Sequence, residues 1–193
     1  MTDHWQEHRL VVLGDTHVGD RTKRLDPALL DAIRAEQPEA ILHTGDICKP
    51  SVLEALGQIA PTHAVQGNRD WFKRYYPPMA IHSEINGIRL TLAHGHINMR
   101  EWALHYMRLI FQGQKTNHTY FQKQLAKLYP DRDLIIYGHL HHQTDEIMKG
   151  IRFINPGVGY PEWRSRFRSQ YALLIFRADG SLDTRLKSVA PYP

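Results

Sequence analysis

Five short clusters along this chain are built from residue types that bind divalent cations. They are Gly14-Asp15-Thr16-His17, Gly45-Asp46, Gly67-Asn68-Arg69-Asp70, His94-Gly95-His96 and Gly138-His139-Leu140-His141, each just after an apolar run that reads as a strand. Together Asp15, His17, Asp46, Asn68, His94, His139 and His141 offer carboxylate, amide and imidazole donors and no thiolate, enough for two adjacent ions. Paired cations suit hydrolysis of a phosphate ester. Each cluster alone has a plainer reading. Asp15 could cap a helix, Asn68-Arg69-Asp70 could be a turn, and a lone His94 or His141 could sit on the surface. Five such coincidences, each at a strand end, are a much weaker account than one shared site.

In Asp15-x-His17 and His139-x-His141 a period of two aims both side chains the same way if the segment is extended. Gly95 separates His94 from His96 and permits close backbone approach. Loops that leave the carboxyl ends of strands in an α/β sheet converge on one crevice, so strand ends far apart in sequence can share one site.

The elements needed to do this are legible. Leu10–Leu13 reads as a buried strand. Asp26-Pro27 then looks like an N-cap followed by proline at the first helical position, with Leu29, Leu30 and Ile33 at helical spacing. The plan repeats in a strand at Ala40–His43 and a helix opening near Pro50-Ser51, and a third strand, Thr62–Val65, runs into Gly67-Asn68. This alternation predicts βαβ units and a parallel sheet. Three hairpins follow: Ala80–Ile85 with Ile88–Ala93 around Asn86-Gly87, Gln143–Met148 with Ile151–Ile154 around Lys149-Gly150, and Tyr171–Phe176 with Leu182–Val189 around Asp179-Gly180. The fold class expected is α/β (α+β), with two packed mixed sheets flanked by helices. The chain is read as a single domain over 1–193 with a helical insertion at about 97–133. Within it Trp102, His105, Tyr106, Leu109 and Ile110 form one helical face, and Phe121, Leu125 and Leu128 another.

A chain of 193 residues buries about 70% of its unfolded surface and needs no covalent staple. The lone Cys48 makes no intrachain disulfide, the polar N-terminus lacks the apolar stretch of a signal peptide, and no apolar run approaches the ~20 residues that cross a bilayer. A cytoplasmic protein without a membrane partner is expected. The net charge of +4 favours anionic partners, a phosphate ester first and nucleic acid second, without requiring either. Exposed sheet edges leave room for a homo-oligomer.

In this order the five motifs resemble those of the calcineurin-like metallophosphoesterases, of the small single-domain phosphodiesterase type, from Asp15 to about Pro156. The resemblance implies a β-sandwich flanked by helices. It also implies that Asp15, His17 and His141 hold one metal ion, that Asn68, His94 and His139 hold the other, and that Asp46 bridges them. Two divalent ions carry four positive charges. Asp15, Asp46 and a bridging hydroxide cancel three, which leaves about one to meet a phosphodiester's single negative charge. The expected activity is therefore phosphodiester hydrolysis by metal-activated hydroxide attack. Mn²⁺, Fe, Zn²⁺ and Ni²⁺ all suit these ligands, with Mn²⁺ the first choice for an assay.

Two departures matter. Many relatives with strong phosphomonoesterase activity carry a histidine after the asparagine ligand, where this chain has Arg69. Arginine is a poor acid but a good clamp for phosphate oxygens, so Arg69 is read as a charge clamp and His96, or water, as the proton source. The loop Asn155-Pro156-Gly157-Val158-Gly159-Tyr160 also lacks the usual serine. Trp71, Phe72, Tyr75 and Tyr76, interleaved with Arg69, Lys73 and Arg74, are expected to pack their loop onto the domain. Alternatively the mixture could stack a base and hold a phosphate, and with the 97–133 insertion it could track a strand in a nuclease. A third reading, a non-catalytic scaffold of the same fold, predicts lost ligands. His43, His63 and His82 are read as structural, and Cys48 as a packing residue.

Overall fold

The computed structural model describes residues 5–96, 107, 118–161 and 168–189. Ten strands form two five-stranded sheets. One has the order β10(Leu182–Ser188), β9(Gln170–Phe176), β1(His8–Leu13), β2(Ala40–His43), β3(Thr62–Ala64). The other has the order β4(Ala80–Ile85), β5(Ile88–Ala93), β6(Leu134–Ile136), β8(Ile151–Asn155), β7(Thr144–Met148). In the first sheet β1, β2 and β3 run parallel, and β9 and β10 add an antiparallel edge. In the second β5, β6 and β8 run parallel between antiparallel β4 and β7.

The layering follows from the period of two. Leu10 and Val12 of β1 point between the sheets with Ala172, Leu174 and Phe176 of β9 and with Leu134 and Ile136 of β6. The alternate residues, Val11, Leu13, Leu173 and Ile175, face outward. There they meet Leu29 and Ile33 of α1(Pro27–Ala35) and Val52 and Leu56 of α2(Ser51–Gly57). Across the second sheet Ile135, Tyr137 and Phe153 pack on Leu125 of α4(His118–Leu128). A short α3(Asn68–Phe72) follows β3. The mixed-sheet sandwich is the architecture expected. Local signals also hold. The Asp26 side chain accepts the Ala28 N–H at 3.0 Å with Pro27 at the first helical position. Asn86 and Gly87 take φ of 47° and 75°, as a two-residue hairpin turn requires.

Two packing expectations are corrected. Leu128, the last residue of α4, is 46% exposed, and the buried face of that helix is Phe121, Gln122 and Leu125. Gln122 earns its place by hydrogen bonding, its amide donating to Glu146 at 2.7 Å. In the segment after Arg69, Tyr75 packs against the outer core, but Trp71, Phe72 and Tyr76 are 47%, 52% and 63% exposed. The helical face proposed at 102–110 lies outside the described residues. No helix among the described residues is long and apolar enough to cross a membrane.

Candidate metal centre

All seven proposed ligands are described, and they meet at one end of the sandwich. The parallel direction of β1, β2 and β3, and of β5 and β6, delivers their following loops there. Backbone hydrogen bonds then tie the loops together. Asp15 N donates to Gly45 O at 2.9 Å, His17 N to Asp46 O at 2.9 Å, and Gly138 N to His94 O at 3.1 Å.

The local geometry differs from the extended segment inferred for Asp-x-His and His-x-His. Asp15, His17, Asp46, His139 and His141 all have positive φ, between 47° and 74°. Non-glycine residues seldom sit there, and strain of this kind gathers at functional sites. The shared direction of these side chains therefore comes from left-handed loops. Gly95 is needed for its φ of 110°, because the nearest atom to an added Cβ lies 3.5 Å away, an ordinary contact. Close approach is instead required at Gly67, where a Cβ would fall on the backbone and carboxylate of Asp46.

The donor atoms form two adjoining groups. In the first, His17 Nε2 lies 3.1 Å from His141 Nε2, 3.5 Å from Asp46 Oδ2 and 3.9 Å from Asp15 Oδ1, and His141 Nε2 lies 3.4 Å from Asp15 Oδ1. In the second, Asn68 Oδ1 lies 3.1 Å from His94 Nε2 and 3.0 Å from His139 Nδ1, those nitrogens are 3.3 Å apart, and His94 Nε2 is 3.6 Å from Asp46 Oδ1. Donors each about 2.0–2.2 Å from a common ion stand at about such separations from one another. The two oxygens of Asp46 face different groups. Asp15 Oδ1 is fully buried and, apart from the 3.4 Å approach of His141 Nε2, has no hydrogen-bond partner among the described residues, while its Oδ2 accepts the His139 backbone N–H at 2.9 Å. This orphaned carboxylate oxygen, turned toward imidazole nitrogens, fits a cation.

Residues outside the seven set the tautomers. His94 Nδ1 donates to Thr44 O at 2.7 Å, which leaves the Nε2 lone pair facing the cluster. His43 accepts the Gly45 N–H at Nδ1 (3.1 Å), so its Nε2 donates to Thr16 Oγ1, also at 3.1 Å, between the first pair of ligands. Burial acts on every ionisable group here. It pushes His17, His43 and His96 down to about 3 and Asp46 up to about 6. Burial also opposes ionisation of Asp15, yet the imidazoles led by His141 hold its carboxyl well below the usual range.

A pH dependence follows for metal-free protein. The unfolded chain protonates these histidines near 6.5 and the folded one only near 3, so their contribution is complete above pH 6.5 and lost as pH falls. Asp46, raised to about 6, runs the other way, as do Asp70 and His141, both also raised, but His139 is lowered with the other three histidines and the balance still favours the higher pH. We expect chelator-treated protein to lose at least about 2 kcal/mol between pH 7 and pH 5. Urea unfolding at both values measures it, and equal midpoints would contradict this account of burial.

Residues 9–179 match the calcineurin-like phosphoesterase superfamily domain. The chain belongs to that superfamily. It is 31% identical over 146 residues, 76% of this chain and 74% of the other, to a probable metallophosphoesterase of Methanothermobacter thermautotrophicus. Among solved structures, Vacuolar Protein Sorting 29 from Cryptosporidium parvum superposes with a TM-score of 0.68 at 16% identity, covering 96% of this chain and all of that one. A protein described as a novel archaeal phosphodiesterase gives 0.60 at 20% identity, covering 93% and 99%. At these identities the structural likeness speaks for the fold.

Within this calcineurin-like frame, the remaining predicted residues sit at the edge of the cluster. His96 is buried, its ring 5.2 Å from that of His94, and its Nδ1 has no hydrogen-bond partner among the described residues. Arg69 donates its backbone N–H to Asp46 Oδ1 at 2.7 Å, while its side chain is 40% exposed. The serine-free loop does line the site. Gly159 N donates to Gly14 O at 2.8 Å, and the Tyr160 ring lies 5.6 Å from His17 and 6.1 Å from His141. His82 pairs with Thr91 at 2.9 Å, whereas His63 is exposed, its side chain alternating away from the core. Cys48 is buried, and burial with nearby carboxylates raises its pKa, so it remains a thiol. Sequence reasoning passed over Asp70, the fourth residue of Gly67-Asn68-Arg69-Asp70. It accepts the N–H groups of Asp46, Cys48 and Gly67 at 2.7–2.9 Å.

Proposed function

We propose that this chain is a two-metal phosphodiesterase in which Asp15, His17 and His141 hold one divalent ion, Asn68, His94 and His139 hold the other, and Asp46 contacts both. Membership of the superfamily supports phosphoester hydrolysis in general. The observation that carries the finer reading is Asp46, whose Oδ2 faces His17 at 3.5 Å and whose Oδ1 faces His94 at 3.6 Å. Bound ions would supply Lewis-acid charge and lower the pKa of water between them. The chain's own residues do the rest. The left-handed loops hold the donors in place, and burial keeps the His17 and His139 imidazoles neutral and ready to ligate. The Arg69 N–H fixes one oxygen of Asp46, and the Arg69 guanidinium, half-exposed and 3.8 Å from Asp20, stands at the mouth to meet phosphoryl oxygens. The leaving group takes its proton from water, either directly or relayed through His96, whose buried ring is neutral and has no proton of its own to spare.

The test is metal analysis after loading with Mn²⁺, together with hydrolysis of bis(p-nitrophenyl) phosphate. Two ions per chain and turnover abolished by chelator are expected. Protein that takes up no metal and leaves the diester intact would favour the scaffold reading. For the side chains, Arg69→Ala is expected to lower kcat/KM about 10–100-fold on any leaving group, and His96→Ala mainly on poor ones. Wild-type turnover by both variants on a poor leaving group would remove those roles.

One observation favours a second reading. Trp71, Phe72 and Tyr76 are exposed beside Arg69, Lys73 and Arg74, a mixture suited to stacking bases along a strand. A nuclease would bind single-stranded oligonucleotides with a steep salt dependence, and a small-diester enzyme would not.

A further inference from the structure

His17 has two ring nitrogens, and the site accounts for one of them. Nε2 faces Asp15, Asp46 and His141. Nδ1 is buried and has no hydrogen-bond partner among the described residues. A histidine that ligates through Nε2 must carry its proton on Nδ1, and such a proton ordinarily goes to a carboxylate or backbone carbonyl, which fixes ring and tautomer. The carboxylate within reach is Asp20, whose Oδ2 stands 3.5 Å from Nδ1. The same oxygen lies 3.8 Å from Arg69 Nε. Local structure holds Asp20 there. The chain folds back after His17, with Asp20 N donating to His17 O at 3.0 Å and Gly19 N to Thr22 O at 2.6 Å.

We propose that Asp20 is a positioning residue for the phosphodiesterase centre, accepting the Nδ1 proton of His17 and holding the Arg69 guanidinium beside the same ion. This rests on the two-metal reading above. Its chemistry is one shared carboxylate that couples a metal ligand to the phosphate clamp. His17, Asp20 and Cys48 also bring their ligand atoms within 4.8 Å of one another, which could be taken for a third cation site. The two roles of His17 exclude each other, because a ring that ligates through Nε2 keeps its proton on Nδ1 and has no lone pair there for a further ion. At 23% side-chain exposure Asp20 also remains hydrated, as a residue that orients others can be.

The experiment compares Asp20→Ala and Asp20→Asn in the full chain, using Mn²⁺ competition against a fluorescent chelator and diester kinetics at saturating Mn²⁺. In Asp20→Ala one ion is expected to bind about 10–100-fold more weakly and the other unchanged. KM should also rise several-fold, and in an Arg69→Ala background Asp20→Ala should raise it no further, because without the guanidinium Asp20 has nothing left to hold. Asparagine keeps an acceptor oxygen but loses the charge, so Asp20→Asn should recover most of the metal affinity and not the KM. That split separates positioning from general loop damage, and the near-isosteric variant preserves the test if alanine impairs folding. Wild-type protein binding two ions, with Asp20→Ala matching it at both, would overturn this inference alone. Wild-type protein binding no ions would overturn the two-metal reading along with it.

Discussion

Replacing Asp46 with asparagine should abolish most activity while making the metal-free protein more stable. Asp46 is 3% exposed, and burial lifts its pKa to about 6, so at pH 7.5 the folded state holds a poorly compensated carboxylate. The unfolded chain ionises that group near 3.8, so its contribution is complete below that value and lost as pH rises through 6. Asparagine removes the buried charge, worth on the order of 2 kcal/mol at pH 7.5, and can still accept the Arg69 N–H. Asparagine cannot bridge two cations with two anionic oxygens. Metal content should fall to one ion or none, and kcat/KM on the diester should drop about 1,000-fold or more, about 4 kcal/mol of transition-state stabilisation. Chelator-treated wild type and variant, compared by thermal melting, test the first half, and metal analysis with kinetics tests the second. A variant that keeps two ions and near-normal turnover would dismiss Asp46 as the shared ligand.

Asp70→Ala is expected to cost both stability and activity without touching an ion. The Asp70 carboxylate is fully buried and accepts three backbone N–H groups, from Asp46, Cys48 and Gly67. Burial raises its pKa in spite of those bonds, so the carboxylate is held at some cost. Alanine leaves three buried donors without partners. At about 1–3 kcal/mol for each, partly offset by removing the buried charge, a loss of roughly 3–5 kcal/mol follows, or roughly 10 °C in melting temperature for a chain of this size. Two of those donors flank or belong to Asp46 and the third lies beside Asn68, so the ligand loops should drift and metal affinity should fall as well. Asparagine offers one acceptor oxygen where two were used and should recover only part of either property. A melting temperature within 2 °C of wild type would show that water can replace Asp70.

Much of this was legible because periodicity and turn chemistry are local. The unbroken apolar runs Leu10–Leu13 and Tyr171–Phe176 predict strands buried on both faces, and that is how they pack. Asn86-Gly87 predicts a hairpin because few other pairs tolerate two positive φ values in succession. The candidate ligands stood out because their types recur at strand ends. What misled was equally local. Asp-x-His suggested an extended segment, yet its φ values of 50° and 47° come from contacts with Gly45 and Asp46, residues some thirty positions away. The aromatic run after Arg69 looked like packing, but hydrophobicity does not say which side of α3 faces the core, and three of its four rings face outward.

Residue types, their order and the strands that carry them are properties of the chain alone, and they sufficed to pick out the seven side chains that folding brings together. Which oxygen of Asp46 faces which neighbours, which nitrogen of His94 is left free, and why Asp20 and Asp70 stand where they do were decided only by folding. Hydrogen-bond partners and desolvation depend on groups brought together from opposite ends of the sequence, and no short window contains both members of such a pair.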